Sequence, residues 1–304
     1  MTQGYDALRH GAAWLDLSAR GRFLVRGRDR ARLLHNVTSN EIKKLAPGSG
    51  CYAFMLTPQG RIQADLNLFC FDDRFLIDTE PELRERVPWL ILKFKVADQV
   101  ELEDITERTA AIGLEGPAAA AVLASMNASV PGDAYTHMPW GESTIANLSV
   151  TGQPGFRIFC PAGQKPPLEP AGAKAATESD FRLVRIENGK PLYGEDIRET
   201  SLPQETRQMH AVSFTKGCYL GQEIVERIRA QGRVNKKLVR LAIETSVALA
   251  PGTKLAAEGK EVGEITSSIY SPLSGHLAAL AYVRVPYDNP DTLLQAGEFS
   301  ARVV

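Results

Sequence analysis

Residues 213–228 read SFTKGCYLGQEIVERI, a stretch in which a single cysteine precedes an amphipathic segment. Three branched apolar residues of that segment fall on one helical face, and Gly232 stands where the cap of a helix C-terminus is expected. The pattern therefore predicts a helix over residues 221–230. Cys218 then lies a few residues before the N-terminus of that helix.

The immediate neighbours of Cys218 do not decide its chemistry. The helix dipole and the ammonium of Lys216 would both favour the thiolate, which is the nucleophilic form of cysteine. A free cysteine is more often a small, inert residue, and no histidine lies near this one in the sequence. A reactive thiol, a metal ligand and a residue that only fits a turn are all open at this point.

Length and composition narrow the class of protein. A chain of 304 residues predicts about two domains, and a net charge of -1 provides no global field for nucleic acid or anionic lipid. The N-terminal sequence has no signal-peptide pattern, and no stretch approaches the ~20 apolar residues that cross a bilayer. We therefore expect no membrane contact and a cytoplasmic protein, or a mitochondrial matrix protein in a eukaryote.

The four cysteines also point to a reducing compartment, because they lie far apart and form no CxxC or Cys–His spacing. The histidines share no ligand spacing either. This pattern argues against a disulfide framework and against a zinc site. The cysteines are Cys51, Cys70, Cys160 and Cys218.

One local order of elements occurs twice. Residues 22–37 predict a strand, a turn with an N-cap at Asp29, and a helix. Residues 100–126 repeat the order, with a strand that ends in Leu-Glu-Gly and an alanine-rich helix that starts near a proline. The repetition predicts two related α+β halves in one large domain.

Other segments complete the expected organisation. Residues 52–79 read as three strands, and residues 81–95 as a helix that Pro88 breaks or bends. Residues 161–179 are rich in Pro, Ala and Gly and predict a loop that leads into a short helix. From Lys236 onward, short strands with frequent turns predict a small β-barrel or sandwich of roughly 70 residues.

A family resemblance rests on five segments. The motif KGCYLGQE at residues 216–223 is preceded by RIENGKPLYGEDI at 185–197 and ETSLPQE at 199–205. The N-terminal segment 33–69 and the closing segment 262–284 match the same layout. Together they resemble the YgfZ-type branch of the glycine-cleavage T-protein (aminomethyltransferase) superfamily, which includes factors for iron–sulfur cluster assembly. The resemblance spans essentially the whole chain.

The resemblance implies a fold and a ligand. It implies an α+β, T-protein-like large domain over residues 1–235, made of two related halves around a folate pocket. It also implies a C-terminal small β-barrel domain over residues 236–304. The ligand would be tetrahydrofolate or a folate derivative, and no stable metal or cluster is expected.

The resemblance assigns roles to individual residues, and each has a competing structural interpretation. Asp65 would hold or relay a proton on a folate nitrogen, but it also fits an exposed strand position. Arg185 and Glu187 would face the pocket, with the carboxylate accepting hydrogen bonds from the pterin, but they also fit a surface pair on a helix. Tyr52 and Phe54 would supply an aromatic face, although such residues are more often core.

In full, the site residues implied by the resemblance are Cys218 and Asp65 as catalytic residues, and Asp65, Tyr52, Arg185, Glu187, Tyr193, Lys216, Gly217, Tyr219, Gln222 and Glu223 as cofactor-binding residues.

Six arginines lie in the segment RGRFLVRGRDRAR, residues 20–32, with only Asp29 opposing them. The segment is either an anion patch for a folate polyglutamate tail or RNA, or a solvated face of a strand and helix. The neutral overall charge favours the solvated face, so RNA is not the favoured partner.

The chain also departs from the aminomethyltransferases that it resembles. The His-Met pair that follows their first strand is absent from LDLSARG at residues 15–21, and Ala64-Asp65 replaces two adjacent acids. Their equivalent of the KGCYLGQE motif normally lacks the cysteine. Glycine-cleavage activity is therefore not expected, and whether any reaction is catalysed is left open.

Three functions follow from these observations. The leading one is a folate-binding protein that acts in the assembly or repair of iron–sulfur clusters, with Cys218 as functional thiol and with client or assembly proteins as partners. The alternatives are a tetrahydrofolate-dependent aminomethyl- or methyltransferase and a tRNA-modification accessory protein.

Overall fold

The structure is a computed structural model that describes residues 1–232 and 234–304. Its helices are α1 (Gln3–His10), α2 (Arg30–Val37), α3 (Arg86–Lys93), α4 (Ala119–Ser125), α5 (Glu178–Glu187) and α6 (Gln222–Gln231). Short 3₁₀ turns cover Pro81–Leu83, Thr106–Arg108 and Met209–Ala211.

The strands of the large domain are β1 (Ala13–Asp16), β2 (Gly21–Arg26), β3 (Gly50–Leu56), β4 (Ile62–Cys70), β5 (Arg74–Thr79), β6 (Glu101–Asp104), β7 (Thr109–Glu115), β8 (His137–Trp140), β9 (Ser143–Asn147), β10 (Gly155–Pro161) and β11 (Lys174–Ala175). Those of the barrel are β12 (Lys236–Ile243), β13 (Lys254–Ala257), β14 (Lys260–Ser271), β15 (His276–Arg284), β16 (Leu293–Ala296) and β17 (Phe299–Val303).

The predicted two halves are confirmed, because the described strands before β12 form two separate sheets. The first has five antiparallel strands in the order β3-β4-β5-β2-β6. The second has six in the order β11-β1-β7-β10-β9-β8, with only the β1–β11 pair parallel. The chain contributes β1 to the second sheet, then forms the whole first sheet, and returns at β7, so the second sheet combines strands that precede and follow the first in the sequence.

The repeated strand-turn-helix unit occurs where the sequence predicts it. Strand β2 leads into α2 and strand β7 leads into α4, each through a glycine with a positive φ. Gly27 has φ 102° and Gly116 has φ 121°. A side chain at either position would also collide with the backbone of a neighbouring segment. Only glycine therefore allows these two turns.

Local predictions for the helices are mostly confirmed. Helix α2 buries Leu33, Leu34 and Val37, the face that its periodicity indicates. The segment at residues 81–95 divides into a 3₁₀ turn and α3, and Pro88 is the third residue of α3. The proline is accommodated because the first turn of a helix does not need its amide hydrogen.

The C-terminal barrel closes on itself in the order β12-β15-β14-β13-β16-β17, with β12 pairing to β17. Its core is apolar and separate from the cores of the two halves. The barrel docks onto the turn after α5 through Asp196. One carboxylate oxygen of Asp196 accepts hydrogen bonds from Thr266 and Ser267 (2.5 and 2.7 Å), and the other accepts from Arg185 (2.6 Å).

Candidate functional site

The candidate site is a cleft around Asp65 of β4, between the two sheets. The empty volume of this Asp65 cleft is about 490 Å³. Asp65 is 8% exposed, and its carboxylate accepts a 2.6 Å hydrogen bond from the hydroxyl of Tyr52 on the neighbouring strand β3. The alternative of an exposed strand residue is therefore wrong for Asp65. Polar side chains from both halves line the cleft, among them Arg20, Asn67, Glu80, Arg157 and Lys190.

The Asp65 carboxyl group is held close to its protonation point at neutral pH. Burial raises its pKa to about 7, and the negative charge of Glu80 acts in the same direction. The hydrogen bond from Tyr52 and the charge of Arg20 oppose the shift without cancelling it. A carboxyl group with a pKa near 7 can donate or accept a proton under physiological conditions.

A buried ion network centred on Asp78 of β5 includes two arginines that line the same cleft as Asp65. The Asp78 carboxylate is 3.0 Å from a guanidinium nitrogen of Arg20 and 3.0 Å from one of Arg157 on β10. It also accepts a 3.0 Å hydrogen bond from Asn67, while Arg20 forms a second ion pair with Glu80. Although burial alone would raise it, Arg20 and Arg157 hold the pKa of Asp78 below its usual range. Both arginines of the cleft are thus already paired.

A second cleft, here called the side cleft, adjoins the first and has an empty volume of about 920 Å³. Both clefts are lined by Tyr52, Tyr135 and Lys190. The side cleft adds His210, whose ring stacks on Tyr52 with 5.4 Å between centroids and 25° between planes. It also adds Cys51, and burial raises the pKa of that thiol to about 12. The side cleft therefore contains three aromatic side chains beside small and polar residues.

The KGCYLGQE segment forms a surface loop that leads into α6. The helix begins at Gln222, one residue later than predicted, and the left-handed Gly232 caps its end as expected. Cys218 is exposed, whereas Tyr219 packs into the core of the first half. The thiol is thus presented to solvent from a loop that the tyrosine fixes to the core.

Lys216 has a structural contact that the sequence did not reveal. Its ammonium is buried and donates hydrogen bonds to the backbone oxygens of Thr38 and Asn40, both at 2.7 Å, and to that of His35. The carbonyl of His35 lies in the last turn of α2 and the other two follow the helix, where helical hydrogen bonding leaves oxygens without partners. Burial lowers the pKa of Lys216 to about 8. All three donors of the ammonium point into the protein.

Two expectations for the motif therefore need correction. Lys216 was placed beside the Cys218 thiol, but its ammonium contacts the loop after α2. Cys218 was assigned as catalytic and the rest of the motif as cofactor-binding, yet neither Cys218 nor the other motif residues line the Asp65 cleft or the side cleft in the described chain. The motif residues concerned are Lys216, Gly217, Tyr219, Gln222 and Glu223, of which Glu223 forms a 2.7 Å ion pair with Arg227.

Of the three predicted residues around α5, only Tyr193 lines the Asp65 cleft, and its hydroxyl donates to the backbone oxygen of Gln63 at 2.8 Å. Arg185 is buried and forms ion pairs with Glu195 and Asp196. It lines a neighbouring cleft that also touches Tyr193. It is therefore not the surface residue of the competing interpretation.

Glu187 lies outside both clefts, contrary to the expectation that it faces the pocket. Its carboxylate forms an ion pair with Arg9 and accepts hydrogen bonds from Tyr5 at 2.9 Å and from Ser271. These partners come from α1 and from the barrel strand β14. Because both oxygens already have donors, Glu187 ties the N-terminal helix to the barrel.

The arginine segment divides into two groups. The expected solvated face is wrong for Arg20 and Arg22, which are buried, and Arg22 donates its hydrogen bonds mainly to backbone oxygens. The other four lie at or near the surface with partners: Arg26 with Glu103, Arg28 with Asp29, Arg30 with the backbone oxygens of Gly27 and Asp72, and Arg32 with Asp29 and Asp98.

Several cleft residues were missed. Phe54, expected at the ligand, is fully buried in the core, while Tyr135 on the second half lines both clefts. Tyr135 adopts a left-handed backbone, with φ 62°, in a loop without any motif. No sequence signal could have found it. Lys190, Pro191 and Leu192 also line the Asp65 cleft, and the motif RIENGKPLYGEDI that contains them was the signal that could have found them.

Residues 1–216 match the GCVT N-terminal domain, and residues 236–303 match the glycine cleavage T-protein C-terminal barrel domain. The chain belongs to the glycine cleavage T-protein family. Neither match distinguishes the YgfZ-type branch from other branches of that family.

Curated relatives of this T-protein family chain include two bacterial aminomethyltransferases. One from Thermus thermophilus is 30% identical over 296 residues, which is 93% of this chain and 83% of the relative. That of Rubrobacter xylanophilus is 29% identical over 293 residues, which is 92% and 78% respectively.

A solved structure supports the fold. The glycine cleavage system aminomethyltransferase T of Bartonella henselae superposes with a TM-score of 0.89 and 21% identity, over 99% of this chain and 87% of that one. The predicted architecture of two α+β halves and a C-terminal barrel is confirmed.

The described residues have neither a metal-binding cluster of side chains nor a membrane-spanning helix. They contain no group of three or more His, Cys, Asp or Glu side chains arranged to hold a metal ion. None of their helices is both long and apolar enough to cross a bilayer.

Proposed function

We propose that the protein binds a tetrahydrofolate derivative in the Asp65 cleft and acts in the assembly or repair of iron–sulfur clusters in client enzymes, with Cys218 as its functional thiol. Membership of a family that contains folate-dependent transferases supports the ligand. The single observation that carries the role of the thiol is the exposure of Cys218 on a loop outside the clefts. That position suits chemistry with a protein partner.

The lining of the clefts fits a reduced folate. Asp65 can hold or release a proton near neutral pH, and Tyr52 and Tyr135 supply aromatic surface. The buried Nε of Arg157 has no hydrogen-bond partner among the described residues, so a polar group in the cleft would satisfy it. A bound folate would supply a nitrogen that carries a one-carbon group, and Asp65 would hold the proton at that nitrogen.

Cys218 stands apart from the other thiols in its accessibility. Cys70 and Cys160 are buried, and Cys51 is partly buried with a raised pKa. One cysteine cannot hold a cluster alone, so Cys218 would bind a stable cluster only together with ligands from a partner or a second copy of the chain. We therefore expect the purified protein to carry no stoichiometric iron.

The test combines binding with function. Cys218→Ala and Cys218→Ser are each assayed for tetrahydrofolate binding and for restoring iron–sulfur enzyme activities in cells that lack the protein. We expect binding to persist and restoration to fail, while Cys160→Ala at a buried thiol restores as the wild type does. Restoration by Cys218→Ala would overturn the role of the thiol.

A tetrahydrofolate-dependent aminomethyl- or methyltransferase is the second candidate, and the pKa of Asp65 near 7 favours it. This function predicts turnover that Asp65→Asn abolishes and that Cys218→Ala leaves intact. If cells instead lose iron–sulfur enzyme activities with Cys218→Ala and keep them with Asp65→Asn, the iron–sulfur role is favoured. The two substitutions therefore separate the candidates.

A further inference from the structure

Lys190 differs in its contacts from the other cations that line the clefts. It lies in the turn after α5 and lines both the Asp65 cleft and the side cleft. The two other cations of the Asp65 cleft, Arg20 and Arg157, are bound to Asp78. Across residues 1–232 and 234–304, by contrast, the ammonium of Lys190 forms neither a hydrogen bond nor an ion pair. It is therefore available to a ligand.

The charges of the two clefts differ. The Asp65 cleft contains carboxylates from Asp65 and Glu80 together with its arginines. Among the residues that line the side cleft there is no carboxylate, and Lys190 is the one group with a full charge. Burial and the charge of Lys190 both lower the pKa of His210, so its imidazole is neutral. The side cleft thus presents a single positive charge.

Three aromatic side chains, those of Tyr52, Tyr135 and His210, form part of the remaining surface of the side cleft. The His210 ring stacks between Tyr52 and Tyr135, at centroid distances of 5.4 and 6.5 Å. Ser149 and Asn147 add neutral polar groups at the edge. Aromatic walls favour a planar ring in the ligand, and an ammonium without a partner favours an anion.

We propose that the side cleft receives an aromatic ring that carries a carboxylate, and that Lys190 is the specificity-determining residue that pairs with this carboxylate. This inference rests on the proposed folate binding, in which the matching part of the ligand is the benzoylglutamate tail. Lys190 thereby selects acid-tailed ligands over neutral ones. The reduced ring system of the ligand lies in the adjacent Asp65 cleft.

The energetic effect follows from the surroundings of the ammonium. Burial lowers the pKa of Lys190, although Glu115 and Asp65 partly offset this shift. A carboxylate on the ligand gives the Lys190 ammonium the ion-pair partner that the described residues do not provide. Charge-assisted hydrogen bonds of this kind are worth roughly 1.5–3 kcal/mol, or about 10- to 100-fold in affinity.

The test uses three probes and measures their dissociation constants by calorimetry. Tetrahydrofolate carries the acidic tail, 6-methyltetrahydropterin lacks it, and N-(p-aminobenzoyl)-L-glutamate is the tail alone. For Lys190→Met we expect affinity for tetrahydrofolate to fall about 10- to 100-fold, affinity for the pterin to be unchanged, and binding of the tail fragment to be lost. Lys190→Arg retains a cation and should keep most of the preference for tetrahydrofolate over the pterin.

Controls make each outcome decisive. Lys260→Met removes an exposed lysine of the barrel and should change none of the three affinities. If Lys190→Met does not fold, the affinities of the wild type are measured at increasing salt concentration instead. Salt should weaken the binding of tetrahydrofolate more than the binding of the pterin. If Lys190→Met lowers the affinity for tetrahydrofolate and for the pterin equally, or lowers neither, the inference is overturned. The proposed binding of tetrahydrofolate to the protein would remain valid. The protein could instead bind the tail fragment through Lys190 and fail to bind the pterin. That result would refute the proposed function and leave the role of Lys190 intact.

Discussion

Asp65 provides the first test at the scale of single residues, because burial and Glu80 raise its pKa from 3.8 to about 7. Between these two values the folded protein binds more protons than the unfolded chain, so the contribution of Asp65 to stability falls as the pH rises. We expect Asp65→Asn to be more stable than the wild type by about 2–4 kcal/mol at pH 8 and similar to it at pH 4. Urea unfolding at both pH values measures the difference.

A matched control for Asp65 is Asp73→Asn, which removes an exposed carboxylate from the turn between β4 and β5. It should show no such dependence on pH. An Asp65→Asn variant whose stability relative to the wild type is the same at pH 4 and pH 8 would show that the carboxyl group titrates normally.

Cys218 gives a second prediction at this scale. It is the exposed thiol, while Cys70 and Cys160 are buried and the pKa of Cys51 is raised to about 12. A disulfide reagent at pH 7.5 should therefore modify one thiol rapidly in the folded protein and the others only after unfolding. In Cys218→Ala the rapid phase should vanish. A rapid phase that survives this substitution would assign it to another cysteine.

The limits of sequence reasoning are clear for the same residues. The motif match identified Asp65 and Tyr193, which line the cleft. The motif match was misleading for Lys216, because the side chains of residues 216 and 218 lie in different environments although they are close in the chain. The Lys216 ammonium is buried, whereas the Cys218 thiol is exposed to solvent. Lys216 reaches the loop after α2, about 180 positions away. A contact of that range leaves no trace in one sequence.

At the scale of elements, Lys216 holds the end of α2 and the Cys218 loop together. Lys216→Met leaves three backbone oxygens without their donor, and we expect it to lower the free energy of unfolding by about 2–4 kcal/mol. Amide exchange at residues 213–220 should also become faster, because the loop loses its anchor. Exchange unchanged from that of Lys260→Met would mean that Tyr219 alone fixes the loop.

Single helices and their glycine caps were predictable from the sequence, more so than the residues at which each element begins and ends. Helix α2 and the cap at Gly232 follow from periodicity and from glycine, both of which are local properties. The paired turns at Gly27 and Gly116 were also visible as repeated punctuation. The arginine segment was not predictable, because burial of Arg20 and Arg22 depends on partners in distant strands.

At the scale of the whole molecule, Asp78 joins the two sheets. It belongs to β5 of the first sheet, whereas Arg157 belongs to β10 of the second. Asp78→Asn leaves the buried guanidinium of Arg157 without its carboxylate and reduces that of Arg20 to its ion pair with Glu80, and we expect it to lower the free energy of unfolding by about 3–5 kcal/mol. Equilibrium urea denaturation at pH 7 measures this loss, with Asp73→Asn as the exposed control.

The pH dependence of the same group gives an independent check. The pKa of Asp78 is held below its usual value of 3.8 by its arginines, so its contribution is present above that value. It is lost as the pH falls further and the carboxylate becomes protonated. The penalty of Asp78→Asn should therefore shrink in strong acid. A penalty that stays constant down to pH 2 would place its origin in packing.

The closed barrel has a consequence for the timing of synthesis. Leu241 on β12 pairs with Val303 on β17, about 60 positions later. At roughly 5–20 residues per second, a ribosome needs about 3–12 s to pass from one to the other. During that interval the two sheets can already assemble, while the first barrel strand has neither its closing partner nor a complete core. Asp196 receives Thr266 and Ser267 only within this interval, so the turn that holds Arg185 is completed late in translation.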